Sequence, residues 1–461
     1  MKTSTHISIL GTTAQTEPPR GELEPETATI RKLIWLYLLL WLFEGGLRRW
    51  CLPGLATPLL LARDPVVIAI YALSISRNVF VINGFISFGA VLALLCVFNA
   101  LLLGHGSLAV ALYGVRCDFL HVPLIFIMGR VLRQKDIFTL AKAGVWLAIP
   151  YTLLLVAQFY APQDAFVNRG VGGGSEGAGF SGALDRFRPP GTFSFITGPA
   201  ELYPLFTACW FVTLLRGNLP LWLMMGSGLA ILLAIPVSIS RSLFLGVVLV
   251  AIAGVGTMIV GRRSSLGMVI KVACVCVFMT LIAGQLPAFR DGMEAFSARW
   301  EGSTVEEGGF KTSIVDRVIH DLTDSFTHVN NSGLGTGFST NVGQKILTAD
   351  VGFGASESEW GRLLYDNGIV LGTLLVGYRV ALTLSILIAS LRGWRHGALS
   401  GLVLASAGIL LLLDGQWGQP TTLGSAVICG GLALAASTLQ PEADAQPSGW
   451  RAAMMNEYAR A

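Results

Sequence analysis

Gly84-Phe-Ile-Ser-Phe-Gly-Ala-Val-Leu-Ala-Leu-Leu-Cys-Val-Phe-Asn-Ala-Leu-Leu-Leu103 runs for twenty residues without a charged side chain. At about 1.5 Å per residue a helix of that length spans the roughly 30 Å hydrocarbon core of a bilayer. The apolar residues are continuous rather than alternating, so a helix is expected here and a β-barrel strand is not. The rest of the chain repeats the pattern. Of its 461 residues, 53% are hydrophobic and only 13% charged, and the mean hydropathy is +0.64, the composition of a chain that lives mostly in lipid. The fold class read from this is all-α: a polytopic membrane protein with about twelve transmembrane helices.

The spans are expected near 31–46, 64–81, 84–103, 112–129, 139–160, 195–215, 220–237, 241–260, 266–286, 360–382, 397–413 and 419–438. Residues 1–30 carry Glu22, Glu24, Glu26 and the pair Pro18-Pro19, and lack the charged start and short apolar core of a signal peptide. They read as a disordered tail ahead of a single transmembrane domain, 31–438, and 439–461 as a second tail. Basic residues set the orientation. Arg130, Arg133 and Lys135 follow the fourth span, Arg216 the sixth, Arg262 and Arg263 the eighth, and Arg392 and Arg395 the tenth. The positive-inside bias then puts both termini in the cytoplasm and the long connections 161–194 and 287–359 outside. Arg48 and Arg49, after the first span, run against the rule.

The net charge of +4 is modest and spread over short loops, so no nucleic-acid partner is expected. Cysteines stand scattered at 51, 96, 117, 209, 274, 276 and 429, with no metal-type pair of pairs, and neither zinc nor a disulfide framework is expected. A pairing of Cys51 with Cys117 stays open. No metal and no cofactor are expected. The glycine-rich stretch Gly170–Gly182 lacks the Lys-Ser/Thr ending of a phosphate-binding P-loop and reads as a flexible loop. Gly333-Leu-Gly335-Thr-Gly337 reads as a tight turn, or a loop whose bare backbone lets a substrate come close.

The charges at the outer mouth are the candidate chemistry, because charge beside membrane segments is costly and usually functional. Arg186 and Arg188 precede the sixth span, Arg241 opens the eighth within Ser238-Ile-Ser-Arg-Ser-Leu-Phe244, Arg299 and Arg317 lie in the large outer connection, and Arg116 sits at the outer end of the fourth span. A planar guanidinium binds phosphate through two parallel hydrogen bonds, so several arginines converging would suit a diphosphate. The plain alternative for any one of them is snorkelling at the interface. Arg379, about 30 Å of helix beyond Trp360, reads as a cytoplasmic anchor. Glu357 and Glu359 head a helix, where they either cap it, with Ser356 or Ser358, or supply a general base that takes a proton from an attacking hydroxyl. His320 and His328 are rival bases. Trp300, Trp360 and Trp417 could stack on sugar faces or anchor at the interface, and Asp414 is an outer carboxylate of unassigned purpose.

Taken in order, Arg188-x-x-Gly-x-Phe193 before a span, Ser240-Arg241-Ser242 opening another, the large loop with Arg299 and Arg317, Gly333-Leu-Gly335-Thr-Gly337, and Leu363-Leu-Tyr-Asp-Asn-Gly368-Ile-Val-Leu-Gly372 resemble the O-antigen ligase and O-antigen polymerase family. Tyr113-Gly-Val-Arg116 is a further match, and the similarity covers roughly residues 110–380. The resemblance implies a GT-C-class glycosyltransferase fold in the bacterial inner membrane, with a catalytic cavity on the periplasmic face. It implies inverting, metal-independent transfer of a glycan from an undecaprenyl diphosphate carrier to an acceptor glycan hydroxyl. In that picture Arg188 and Arg241, with Arg317, hold the diphosphate. Arg299 and Arg116 are further candidate diphosphate ligands. Other polysaccharide export proteins are candidate partners.

Ligases of the family typically carry His-Asn where Glu357-Ser358 aligns. That departure turns the expectation toward a polymerase joining lipid-linked repeats, with a ligase acting on lipid A core as the alternative. A transporter, the alternative from another class, calls for charges near mid-membrane, broken helices or inverted repeats.

Overall fold

The computed structural model describes residues 24–216, 219–260, 266–306, 332–348 and 358–438. Helices come in the order α1 (Glu24–Gly46), α2 (Ala56–Leu59), α3 (Arg63–Ser76), α4 (Gly84–Leu102), α5 (Leu108–Val115), α6 (Val122–Val131), α7 (Gln134–Tyr160), α8 (Thr197–Arg216), α9 (Leu221–Val237), α10 (Arg241–Val260), α11 (Leu266–Ala283), α12 (Pro287–Glu306), α13 (Asn341–Leu347), α14 (Glu359–Arg395), α15 (Leu399–Asp414) and α16 (Pro420–Ser437). A hairpin of β1 (Phe180–Ala183) and β2 (Arg186–Arg188) stands between α7 and α8. The chain is mostly helical, and among the described residues six helices are long and apolar enough to cross a membrane, or up to eight if two bent pairs each count as one span. It is a membrane-embedded helical protein.

Each expected span overlaps helical residues, yet the helices are unequal and only six to eight among the described residues are long and apolar enough to cross. Among the described residues α9 and α15 are 17 and 16 residues long, short of a full crossing by themselves. The fourth expected span is two helices, α5 and α6, joined through a π-helical segment, Arg116–Leu120. The first helix starts at Glu24, ahead of the expected 31, because the acidic residues counted with the tail suit a helix N-terminus. The outer connection 287–359 is not all loop. After a bend of 92° beyond α11, the chain enters α12, whose Phe296 and Trp300 pack on Phe244 of α10.

Burial sorts the helices into layers. α16 is the axis: it packs against α6, α8, α14 and α15, and most of its side chains are buried. Small residues allow this, since Gly431 faces Met128 and Gly408 faces Cys429 at distances that leave no room for a Cβ. At the rim, Leu94, Phe98 and Leu102 of α4, Val277 and Leu281 of α11 and Val370 of α14 are exposed, an apolar belt that lipid rather than water would cover.

α14 runs for 37 residues and is broken at Gly368, which has φ 76°. Against this break lies the loop Gly333–Gly337, all three of its glycines in the left-handed region. Leu334 N donates to Tyr365 O at 3.0 Å and Gly335 N to Asp366 O at 2.7 Å, so the expected tight turn is docked on the break. Gly337, at φ 86°, leaves a Cβ no space against Val110 O and Gly114. Gly337→Ala is expected to cost at least about 1–3 kcal/mol through strain alone. Thermal melting in detergent checks it, and an unchanged midpoint would mean that the loop is not seated on α5.

Candidate functional site

Arg188 is fixed from both sides. Upstream, the hairpin turn Leu184-Asp185 has both residues at positive φ, 51° and 56°, the twist of a tight two-residue hairpin turn. Phe180 of β1 stands opposite Arg188 of β2. Downstream, Pro189-Pro190-Gly191-Thr192-Phe193 is latched into the bundle. Thr192 N donates to Tyr151 Oη at 3.0 Å, and Thr192 Oγ1 donates to Leu42 O at 2.6 Å. Gly191 N donates to Gln158 Oε1 at 2.8 Å, and at φ 62° this residue packs its Cα on the Tyr151 hydroxyl.

The strongest clasp on this latch is Arg49, fully buried, whose guanidinium donates to the carbonyls of Val167, Arg169, Gly191 and Phe193 at 2.6–3.1 Å. Arg48 likewise donates to Ala56 O and Ser194 Oγ. These bonds tie the end of α1 to the connection 161–194.

Arg241 arrives from another direction. α9 ends at Pro236-Val237, and the chain reverses within three residues, with Ile239 in the left-handed region at φ 48°. A β-branched residue is strained there, and such strain persists only where the surroundings impose it. Ser240 accepts from Leu243 N at 3.4 Å at the start of α10, placing Arg241 in its first turn. Arg188 Nη2 donates to the same Ser240 Oγ at 3.4 Å, and Arg299 of α12 donates to Ser181 O of β1 at 3.3 Å.

The structure thus brings Arg188, Arg241 and Arg299 to one place, the meeting of the hairpin, the α9–α10 reversal and α12. Arg188 Nε is buried with no partner. Burial first, then the like charges of Arg299 and Arg241, pull its guanidinium down to about 10 from the ordinary value. A half-buried cation with a vacant donor beside like charges has the chemistry to receive an anion, since an oxyanion would fill the donor.

No protein-family model matches this chain, and no curated protein matches it significantly.

Other expected site residues fall elsewhere. Arg116 is a correction: it is clamped by Asp64, Nε to Oδ2 at 2.8 Å and Nη2 to Oδ1 at 2.9 Å, and so is already neutralised rather than open to a diphosphate. Glu359 is wholly buried. It accepts from Arg362 Nε and Nη2 at 2.8 Å, from Arg379 Nη1 at 2.7 Å and from Trp417 N at 3.2 Å, the geometry of a structural ion pair rather than of an open base. Arg379 is a second correction. It does not reach an interface as an anchor; it lies inside, on Glu359, on the carbonyls of Leu411, Leu412 and Gly415, and 3.9 Å over the Trp417 ring.

Trp417 is accordingly buried, Trp300 packs on Phe244 and Phe296, and Trp360 is bound to Asp414 and Leu413 O, so these rings have protein partners rather than a shared sugar platform. Arg186 lies over Phe159 and Tyr160. Ser358 is the helix cap, accepting from Gly361 N at 3.1 Å. Cys51 is exposed, Cys117 buried, and both are free thiols. Glu357, Arg317, His320 and His328 lie outside the described residues.

The sequence reading passed over a buried charge network. Arg362 joins Asp118 at 2.6 Å, Glu359, and Asp366 at 3.3 Å, while Asp366 accepts from Gly337 N, Ser339 N and Ser339 Oγ. The spacing was legible: Glu359, Arg362 and Asp366 stand three and four apart on one helical face. The partner Asp118, 244 residues away, was not.

Proposed function

We propose that the protein is an inner-membrane glycosyltransferase that polymerises glycan repeats carried on undecaprenyl diphosphate. About twelve helices would cross, both termini would be cytoplasmic and the site would face the periplasm. The observation that carries this reading is the convergence of Arg188, Arg241 and Arg299, with the vacant Arg188 Nε. In the reaction the acceptor sugar hydroxyl attacks the anomeric carbon, its oxygen forms the new glycosidic bond, and the bond from that carbon to the diphosphate oxygen breaks with inversion. The electron pair leaves on the diphosphate, where the arginines balance the developing charge without reorganising. The hydroxyl proton passes to a base, for which Glu357 remains the candidate; a carboxylate can accept it at hydrogen-bond distance.

The test supplies purified protein with lipid-linked oligosaccharide and follows a ladder of longer products, for wild type, Arg188→Ala and Glu357→Gln. Wild-type laddering lost in both variants is expected. An unchanged ladder in both would remove the site, and no ladder in wild type would remove the polymerase; addition of one whole chain to a lipid A core would instead mark a ligase.

Transport is the second reading, favoured by the charges buried within α14 and by its break at Gly368. Every guanidinium nitrogen of Arg362 and Arg379 already has a protein partner, however, which suits scaffolding better than a substrate path. Movement of the lipid-linked glycan across proteoliposomes without lengthening would decide for transport.

A further inference from the structure

Beside the latch that follows Arg188 is a cavity of about 250 Å³ between the end of α1, the start of α3, residues 193–195 and the α15–α16 connection. Its link to the arginine cluster is direct: Phe195 in its wall packs edge-on against Phe180, the residue opposite Arg188 in the hairpin. Three charges line it. Glu44 stands between Arg48 at 3.6 Å and Arg63 at 3.3 Å, leaving an excess of one positive charge.

Arg63 is 1% exposed; its Nη2 donates to Pro420 O, and its Nη1, without a hydrogen-bond partner, packs on Gly424 of α16, where a Cβ would find no room. Leaving that buried donor unsatisfied costs stability, so the charge behind the cavity wall is held there against a penalty. Hydroxyl and amide side chains, Ser194, Asn341 and Gln419, share the lining with the rings of Trp41 and Phe193. Converging polar groups on an aromatic floor are what a sugar ring requires: hydrogen bonds at its edge, an apolar face beneath.

We propose that this cavity binds one monoanionic sugar residue, a uronic acid. The volume is enough for a single ring, with the open mouth left for whatever is attached to it. The excess of one positive charge matches one carboxylate, whereas Glu44 would repel the second charge of a phosphate. Arg48, the more exposed of the two arginines, takes the carboxylate, the buried Arg63 supplies positive charge from behind the wall, and Glu44 accepts from ring hydroxyls. That this ring belongs to the glycan acceptor rests on the glycosyl-transfer reading; the binding itself does not.

The test is saturation-transfer NMR on the full-length protein in detergent with methyl glucuronide, methyl glucoside and inorganic phosphate. Methyl glucuronide is expected to bind in the millimolar range, about tenfold or more tighter than either other probe. Arg48→Gln is expected to weaken it by about tenfold or more, with Asn341→Ala as a milder second variant should the first not fold. Equal binding of the glucoside, equal competition by phosphate, no saturation transfer, or unchanged binding in the variants each overturns the proposal. Glucuronide binding in a protein that neither makes a ladder nor extends a lipid A core would instead sink the transferase reading and leave the sugar site standing.

Discussion

Arg362→Met is expected to destabilise the protein by about 3–5 kcal/mol, the cost of removing one partner from a buried ion pair. Arg362 is 6% exposed and is the shared cation of Asp118, Glu359 and Asp366. Without it Asp118 has no ion-pair partner among the described residues, and its Oδ2 is already without a hydrogen-bond partner. Asp366 also positions Ser339 and the Gly337 amide, so the loss extends to the docked turn on α14. Methionine keeps most of the volume, which isolates the charge from the packing. Adding Asp118→Asn should recover part of the loss, since the double variant no longer buries that uncompensated charge, and coupling of about 0.5–3 kcal/mol is expected. Unfolding midpoints in detergent measure all three variants. A loss under about 1 kcal/mol, the value of a surface pair, would mean that water reaches this network.

Arg188→Ala is expected to do the opposite: to reduce transfer by about 10²–10³-fold, as removal of one oxyanion-stabilising donor does, while leaving the melting point unchanged or raised. Arg188 has no carboxylate partner among the described residues, a vacant Nε and two like-charged neighbours, so its removal relieves the fold. A group held for structure would show the reverse. Pyrophosphate should raise the melting point of wild type and not of the variant, because a ligand that binds only the folded state stabilises it.

The pH dependence follows from the same repulsion. With the folded-state guanidinium at about 10, below its ordinary value, the penalty is present throughout the range below about 10 and is relieved as pH rises through it. The stabilisation by pyrophosphate should therefore be present at neutral pH and fade above about 10. A shift that persists unchanged there, or one that survives in Arg188→Ala, would place the anion elsewhere.

The helices were legible because hydropathy is a local sum. The run from Gly84 needs no knowledge of any other part of the chain to be read as membrane helix, and Ser358 could be read as a cap from its place at a helix start. The hairpin was not legible. Phe180-Ser-Gly-Ala183 is short and contains a glycine, and beyond its own pairing with β2 it is met by Arg299 of α12, 118 residues after Ser181. The helix α12 was hidden for a related reason: it carries charge and is held by Phe244 and the hairpin, so no hydropathy scan detects it.

By itself the sequence determined that the chain is a bundle of membrane helices and that arginines gather at the ends of several of them. Only the tertiary structure decided which of those arginines are clamped by a carboxylate. Arg116 and Arg188 have the same side chain and a similar address in the sequence, yet one lies against Asp64 and the other among like charges. Arg379, read as an anchor, holds Glu359 inside the bundle. Apolar length is a property each segment has alone, whereas the satisfaction of a charge is a relation between groups that only folding brings within a few ångströms of each other.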